Sequence, residues 1–158
     1  MAAAGLPVLP GYEIDGSYTA EGGEAAMVSL LTLPQPPTAV FAQSDEMAFG
    51  AMRALRRCGL ECPGDVSIIG FDDHDMAALV DLTTINQPAE LQGELAARQV
   101  LACLRGERVE LELVPTRLVL RATTSPPRAS SGVDDAGAPT DPRDPAGPTP
   151  PRRPTTGD

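Results

Sequence analysis

Apolar and polar positions along this chain alternate between short apolar runs and stretches with helical spacing. Two runs, residues 38–42 and 66–69, are short and mostly apolar, which is typical of strands buried on both faces. Between them, apolar residues recur at helical spacing and predict a helix with Asp45 as its N-cap and Gly59 as its stop. The centre of the chain is therefore predicted to be strand, helix, strand.

The same pattern extends this unit in both directions. Two more helices are predicted, at residues 21–33 with Thr19 as a cap and at residues 88–105. Further short strands are predicted at residues 11–15, 82–85 and 111–121. Strands that alternate with helices favour an α/β fold with an open parallel sheet between helical layers, a three-layer arrangement.

Composition divides the chain into three parts. Residues 126–158 hold nine of the 17 prolines and almost no large aliphatic side chain, so this tail is predicted to be disordered. Residues 1–10 lack periodicity and are predicted to be a loose lead-in. The remaining part, residues 11–125, has the size of one domain.

The charge of the chain limits its partners. All 12 basic residues are arginines, there is no lysine, and the net charge is −10, which argues against direct nucleic-acid contact. No apolar stretch is long enough to cross a membrane, and the first ten residues lack the basic start of a signal peptide. We therefore expect a cytoplasmic protein without membrane contact.

The cysteine and histidine residues of the sequence give little support for a catalytic or metal site. Cys58, Cys62 and Cys103 are an odd number and fit reduced thiols, and a zinc site from Cys58, Cys62 and His74 lacks a second close-spaced pair. One histidine is too few for most catalytic sets, so we expect no enzyme, cofactor or metal. A catalytic or metal role for Asp73 and His74 stays open as the lesser alternative.

Polar residues follow two of the predicted strands. Ser44 and Asp45 come after the first, and Asp72 and Asp73 come after the second. In an open parallel sheet, ligands bind outside the carboxyl ends of the strands. Both clusters are therefore candidates for a small-ligand site.

These residues also carry a resemblance. The central stretch reads PTAVFA, DEMAFGAMRAL, GL and PGDVSIIGFDD, and LTTI and QP follow. Over residues 11–124 it resembles the effector-binding, periplasmic-binding-protein-like domain of the LacI/GalR family of transcription regulators, in its C-terminal part. The resemblance implies a sensor that binds a sugar or a nucleobase-like effector and forms a homodimer.

The resemblance also suggests ligand contacts. Asp72 matches an effector-contacting aspartate, and Phe71 directly before it is a further ligand candidate. Gln87 matches a residue in the hinge crossing. Ser44 stands where the family has asparagine, and Tyr18 lies one residue after the position of a stacking aromatic. The alternatives are that Asp72 caps its loop, that Gln87 bonds hinge backbone and that Tyr18 only packs.

A dimer contact is implied for the stretch after Asp73 and for the outer side of the central helix. Six residues fit it by type and place: Met52, Leu55, Arg56, Met76, Ala77 and Leu79.

The resulting hypothesis is the sensor portion of a LacI-type repressor. The helix-turn-helix and the first effector subdomain of that family are not recognisable in this chain, so operator DNA would be contacted only through such a missing part. Helix 88–105 would then expose its Ala, Val and Leu face, which predicts self-association. The alternatives are a solute-binding protein for sugar transport and a non-functional truncated fragment.

Overall fold

The computed structural model describes residues 9–110 and 112–127. The predicted lead-in and tail lie almost wholly outside these residues, so both domain boundaries stay predictions. The elements, in chain order, are α1 (Ala20–Leu31), β1 (Ala39–Phe41), α2 (Asp45–Arg57), β2 (Ser67–Asp72), α3 (Asp75–Leu79), β3 (Thr84–Asn86), α4 (Ala89–Leu104) and β4 (Arg117–Val119).

The strands form one sheet in the order β1-β2-β3-β4. β1, β2 and β3 are parallel, as predicted, with Val40 opposite Ile68 and Gly70 opposite Thr84. β4 returns antiparallel to β3, with Leu118 opposite Ile85. The sheet is thus mixed, and its parallel part brings the carboxyl ends of β2 and β3 to the same edge.

Local signals set the helix ends. The Thr19 hydroxyl accepts the Gly22 N–H at the start of α1, which confirms the predicted cap. Gly59, with φ of +71°, follows the end of α2 as expected. The cap prediction for α2 was wrong by one residue: Ser44 accepts the Met47 N–H, and Asp45 is already helical.

The core lies between the sheet and the α1–α2 pair. Its members are small and aliphatic side chains from these elements and from the loops beside them: Met27, Leu30, Ala42, Ala48, Ala51, Ala54, Leu55, Val66, Ile68, Ala77 and Leu82. The two helices approach closely at glycines, since a Cβ on Gly50 would lie 1.9 Å from the Ala20 carbonyl oxygen. At the edge of this contact, Glu24 forms ion pairs with Arg53 and Arg57 at 3.3 and 2.7 Å.

Two strand predictions need correction. β1 was expected to be buried on both faces, but Ala39 and Phe41 are exposed because only the opposite face, which carries Val40, packs against the core. Residues 11–15 form no strand, since their backbone takes no place in the described sheet.

The last helix stands apart from the core. α4 follows the predicted bounds closely, yet none of its residues is buried. Val100, Leu101 and Leu104 are 59%, 54% and 79% exposed, which confirms the expected apolar face. Among the described helices, none combines the length and the apolar character needed to cross a membrane.

Candidate functional site

The loop that leaves β2 has an unusual backbone. Asp72 and Asp73 have φ angles of +118° and +58°, in a region that side-chain-bearing residues seldom adopt. Such conformations cost on the order of 1–3 kcal/mol each and persist only where neighbouring groups hold them. Five such neighbours are found at this edge of the sheet: Asp45, Thr84, Asn86, Gln87 and Arg121.

Asp72 lies at the carboxyl end of β2, paired with Asn86 of β3. Its Oδ1 accepts a hydrogen bond from Nε2 of Gln87. Within the described chain, no second hydrogen bond reaches this carboxylate, and the side chain is half-buried. Asp72 and Gln87, the two residues chosen from the sequence, are therefore in direct contact, and the carboxylate keeps acceptor capacity for a ligand.

Asp73 is tied into the protein. Its carboxylate accepts a hydrogen bond from Arg121 at 2.7 Å and one from Asn86 at 2.9 Å. The Arg121 hydrogen bond is the main cause that lowers the pKa of the Asp73 carboxyl below its ordinary value. Arg121 also donates to the Leu82 carbonyl at 2.7 Å, so it clamps the loop to the start of β3.

Asp45 lies beneath the same loop with no exposed surface. Its Oδ2 accepts the His74 backbone N–H at 2.7 Å, and its Oδ1 accepts the Thr84 hydroxyl at 2.6 Å. Burial is the main cause that raises the pKa of its carboxyl, against these two hydrogen bonds and together with the charges of Asp72 and Asp73. Asp45 thus joins the start of α2 to the loop after β2 and to the first residue of β3.

Sequence reasoning did not find Thr84, Asn86 and Arg121 as members of the site, and it placed Asp45 in a candidate cluster without its supporting role. The pattern around Asp45 indicated a helix cap, and its partners are 29 and 39 positions away in the chain. Arg121 lies 48 positions from Asp73. Only the order of strands in the sheet brings these residues together.

The remaining ligand candidates lie around this centre. Ser44 is buried, and its hydroxyl caps α2, so it joins the site through its neighbour Asp45. Phe71 is half-buried in β2 opposite Ile85. Tyr18 is 65% exposed and donates a hydrogen bond to Oε1 of Gln43 at 3.2 Å, next to Ser44. Their roles in ligand binding stay predictions.

A cavity of about 550 Å³ lies along α4, and one of about 710 Å³ lies between residues 12–18 and the β1–α1–α2 side of the domain. Tyr18, Phe41 and Gln43 line the second cavity, whereas Asp72 and Gln87 do not. Tyr18 thus lines a cavity that Asp72 and Gln87 do not line.

Two of the six residues predicted for the dimer contact are buried and do not fit it. Leu55 and Ala77 are fully buried in the core, so neither side chain can reach a partner. Their burial follows from packing, since Leu55 lies on the inner side of α2 and Ala77 on the inner side of α3. Met76, Leu79 and Arg56 are exposed, and Met52 is partly buried against the core.

The cysteines that were considered as metal ligands lie in the described part of the chain. Cys58 and Cys103 are exposed free thiols, and Cys62 is half-buried. Across the described residues, no three side chains of His, Cys, Asp or Glu are grouped in a way that would hold a metal ion.

The chain is similar to known transcription regulators. A family model described as a periplasmic binding protein-like domain matches residues 1–124. The HTH-type transcriptional repressor CytR of Escherichia coli K12 is 44% identical over 124 residues, which cover 76% of this chain and 36% of that protein. The ribose operon repressor of the same organism is 44% identical over 98 residues, covering 61% and 30%.

Among solved structures, a LacI family transcriptional regulator from Enterococcus faecium with bound ribose aligns with a TM-score of 0.64 and 35% identity. The alignment covers 70% of this chain and 42% of that one. The chain spans about a third of the length of the curated relatives it matches.

Proposed function

Because the chain belongs to the periplasmic binding protein-like family and corresponds to the C-terminal part of a LacI/GalR effector-binding domain, we propose that it senses a small effector for a transcription regulator. The effector of this proposal is a sugar without a phosphate group. The observation that carries it is the Asp72 carboxylate, held by Gln87 at the carboxyl end of β2 with acceptor capacity left over.

The chemistry of this edge favours ligands that donate hydrogen bonds. An ionised carboxylate accepts from two adjacent hydroxyls, which sugars present. Asp72 and Asp73 are close enough to Asp45 for their charges to affect its titration. Arg121 already pairs with Asp73, and Arg117 is the other cation whose charge acts on that carboxyl. The acidic side chains Asp45, Asp72 and Asp73 outnumber these two arginines, so the site disfavours an added phosphate but not a neutral polyol.

The relatives point to the same ligand class. One curated relative is a ribose operon repressor, and one similar solved structure contains ribose. For this chain, ribose is accordingly the first ligand to test, and the exposed residues Met76 and Leu79 are the first candidates for a homodimer contact.

In the proposed function, DNA is bound by a helix-turn-helix part of the regulator rather than by this acidic chain. A net charge of −10 without lysine disfavours phosphate contacts. We place the regulator in the cytoplasm, where operator DNA is found. No catalytic step is part of the proposal.

The test is calorimetric titration of the full chain with D-ribose and with D-ribose 5-phosphate. We expect ribose to bind more tightly than its phosphate. Asp72→Asn should weaken ribose binding by about tenfold to a hundredfold, because a hydrogen bond to a charged group contributes about 1.5–3 kcal/mol.

Asp75→Asn is the matched control, since Asp75 is an exposed aspartate in the first turn of α3, three residues away. It removes the same charge and should leave ribose binding unchanged. Equal affinity of the Asp72→Asn variant and the wild type would contradict the proposed site.

A further inference from the structure

The Asp72–Asp73 loop is held from below by a residue that no ligand can reach. Asp45 is fully buried, and its two carboxylate oxygens accept from two different segments, the His74 backbone N–H and the Thr84 hydroxyl. The first of these bonds fixes the residue directly after the pair with positive φ. Asp45 therefore acts on the loop from the side opposite to the solvent.

A second path leads from Asp45 to the loop through Thr84. The Thr84 hydroxyl donates to Asp45 and, at a longer 3.4 Å, accepts the Asp73 backbone N–H. Because an ionised Asp45 can only accept, it fixes the direction of the Thr84 hydroxyl and leaves that oxygen available to Asp73. Asp45 thus governs the backbone bonds of both Asp73 and His74.

The surrounding structure is shaped for this carboxylate. A Cβ on Gly70 would lie 2.2 Å from Oδ1 of Asp45, so the absence of a side chain in β2 leaves the space that the oxygen occupies. Gly70 is itself buried and pairs with Thr84 across the two strands. The glycine, the threonine and the aspartate form one unit beneath the loop.

We propose that Asp45 is a positioning residue for effector binding: its buried carboxylate holds the backbone of Asp73 and His74 so that Asp72 faces the ligand, without touching the ligand itself. This inference rests on the proposed function for its effect on affinity. Its effect on the loop is independent of any ligand.

The burial of Asp45 separates this role from a purely structural one. Burial raises the pKa of its carboxyl, so the ionised side chain is accommodated at a cost to stability. A neutral amide of the same shape relieves that cost. The amide also brings an NH₂ donor against the His74 N–H or the Thr84 hydroxyl, which both donate to the carboxylate in the wild type. Asp45→Asn should therefore weaken binding without a matching loss of stability.

The experiment compares the full-length wild type with Asp45→Asn in three measurements. Urea unfolding reports stability, amide hydrogen exchange and chemical shifts of residues 72–74 report the loop, and titration with D-ribose reports affinity. We expect an unchanged or higher urea midpoint, His74 amide exchange faster by about tenfold or more, and ribose affinity lower by about tenfold.

Glu46→Gln is the matched control, since it removes one negative charge at the next position of the same helix. It should leave all three measurements near the wild-type values. Thr84→Val is a second variant that keeps the carboxylate and deletes the bridging hydroxyl, and it should shift the Asp73 amide signal and weaken ribose binding in the same direction.

Unchanged loop signals in both Asp45→Asn and Thr84→Val would overturn the inference, whatever ribose does. So would loop and affinity changes no larger than those of Glu46→Gln. If the wild type binds no ribose, the proposed effector fails, and the exchange rates and shifts of residues 72–74 still decide whether Asp45 positions the loop.

Discussion

At the residue scale, the ion pair between Arg121 and Asp73 is the contact that we expect to matter most for the stability of the site. The side chains of Arg121 and Asp73 are only 18% and 15% exposed, and they meet at 2.7 Å. Replacing Arg121 with Met keeps most of the side-chain volume but removes the cation that contacts Asp73, whose carboxylate keeps the hydrogen bond from Asn86. We expect the free energy of unfolding at pH 7 to fall by about 2 kcal/mol, because a partly buried charge then loses its charged hydrogen-bond donor.

The loss of stability caused by Arg121→Met should shrink as the pH falls. Arg121 holds the pKa of the Asp73 carboxyl below its ordinary value of 3.8, so the pair stabilises the fold above that pH. As the pH falls below 3.8, Asp73 in the native state becomes protonated and the contribution disappears. Urea unfolding of the wild type and of Arg121→Met should therefore converge at acid pH.

Arg98→Met provides the control for this variant. Arg98 forms an exposed ion pair with Glu94 at 3.4 Å on α4. Such a pair contributes about 0.3–0.5 kcal/mol, so its loss should be small. A loss for Arg121→Met that is equally small, or that stays constant down to acid pH, would show that the Asp73 pair does not stabilise this loop.

Among the elements, the α1–α2 contact is the tightest constraint. Gly50→Ala would place a Cβ 1.9 Å from the Ala20 carbonyl oxygen and 2.7 Å from the Glu24 nitrogen, both of them backbone atoms. The helices would have to separate. We expect a net loss of about 1–3 kcal/mol in the free energy of unfolding, although alanine favours a helix by about 0.5–1 kcal/mol over glycine.

Gly93→Ala makes the same change in α4, where a new Cβ would meet nothing within 4 Å. There the helix preference should act alone and raise the stability of α4 by about 0.5–1 kcal/mol. Urea unfolding followed by circular dichroism measures both variants. Effects of the same sign at Gly50 and Gly93 would contradict the close approach of α1 and α2.

Sequence reasoning found elements better than contacts. Periodicity, caps and glycine stops act over a few residues, so α1, α2 and α4 were located to within a few positions. The short α3 had no element predicted for it. The exposure of Phe41 was missed, because a short apolar run does not show whether one or both faces of a strand are covered.

At the site, the residue type of Asp72 and its place after a strand were visible in the sequence. The partnership of Asp45 with His74 and Thr84 was not, because it depends on how β2 and β3 pair. A buried carboxylate at a helix start is indistinguishable, in one sequence, from a helix cap. Residues expected to touch the ligand, such as Asp72, were thus easier to predict than residues that support them, such as Asp45.

At the scale of the whole molecule, α4 presents an apolar face that no other described element covers. Val100, Leu101 and Leu104 are all more than half exposed, and no residue of α4 is buried. Burying a leucine contributes about 1.5 kcal/mol or more, so this face favours association. The net charge of −10 opposes it, and salt should weaken that opposition.

We therefore expect the average mass in sedimentation equilibrium to rise with protein concentration, and more steeply at high salt. Replacing Leu101 and Leu104 together with Gln should weaken association by about a hundredfold. Leu79→Gln is the informative comparison, because Leu79 is 74% exposed on α3, in the predicted dimer contact. If only Leu79→Gln abolishes association, the contact runs through α3 and the α4 prediction is wrong. If only the α4 variant does so, association reflects the uncovered helix, and the α3 dimer loses its support.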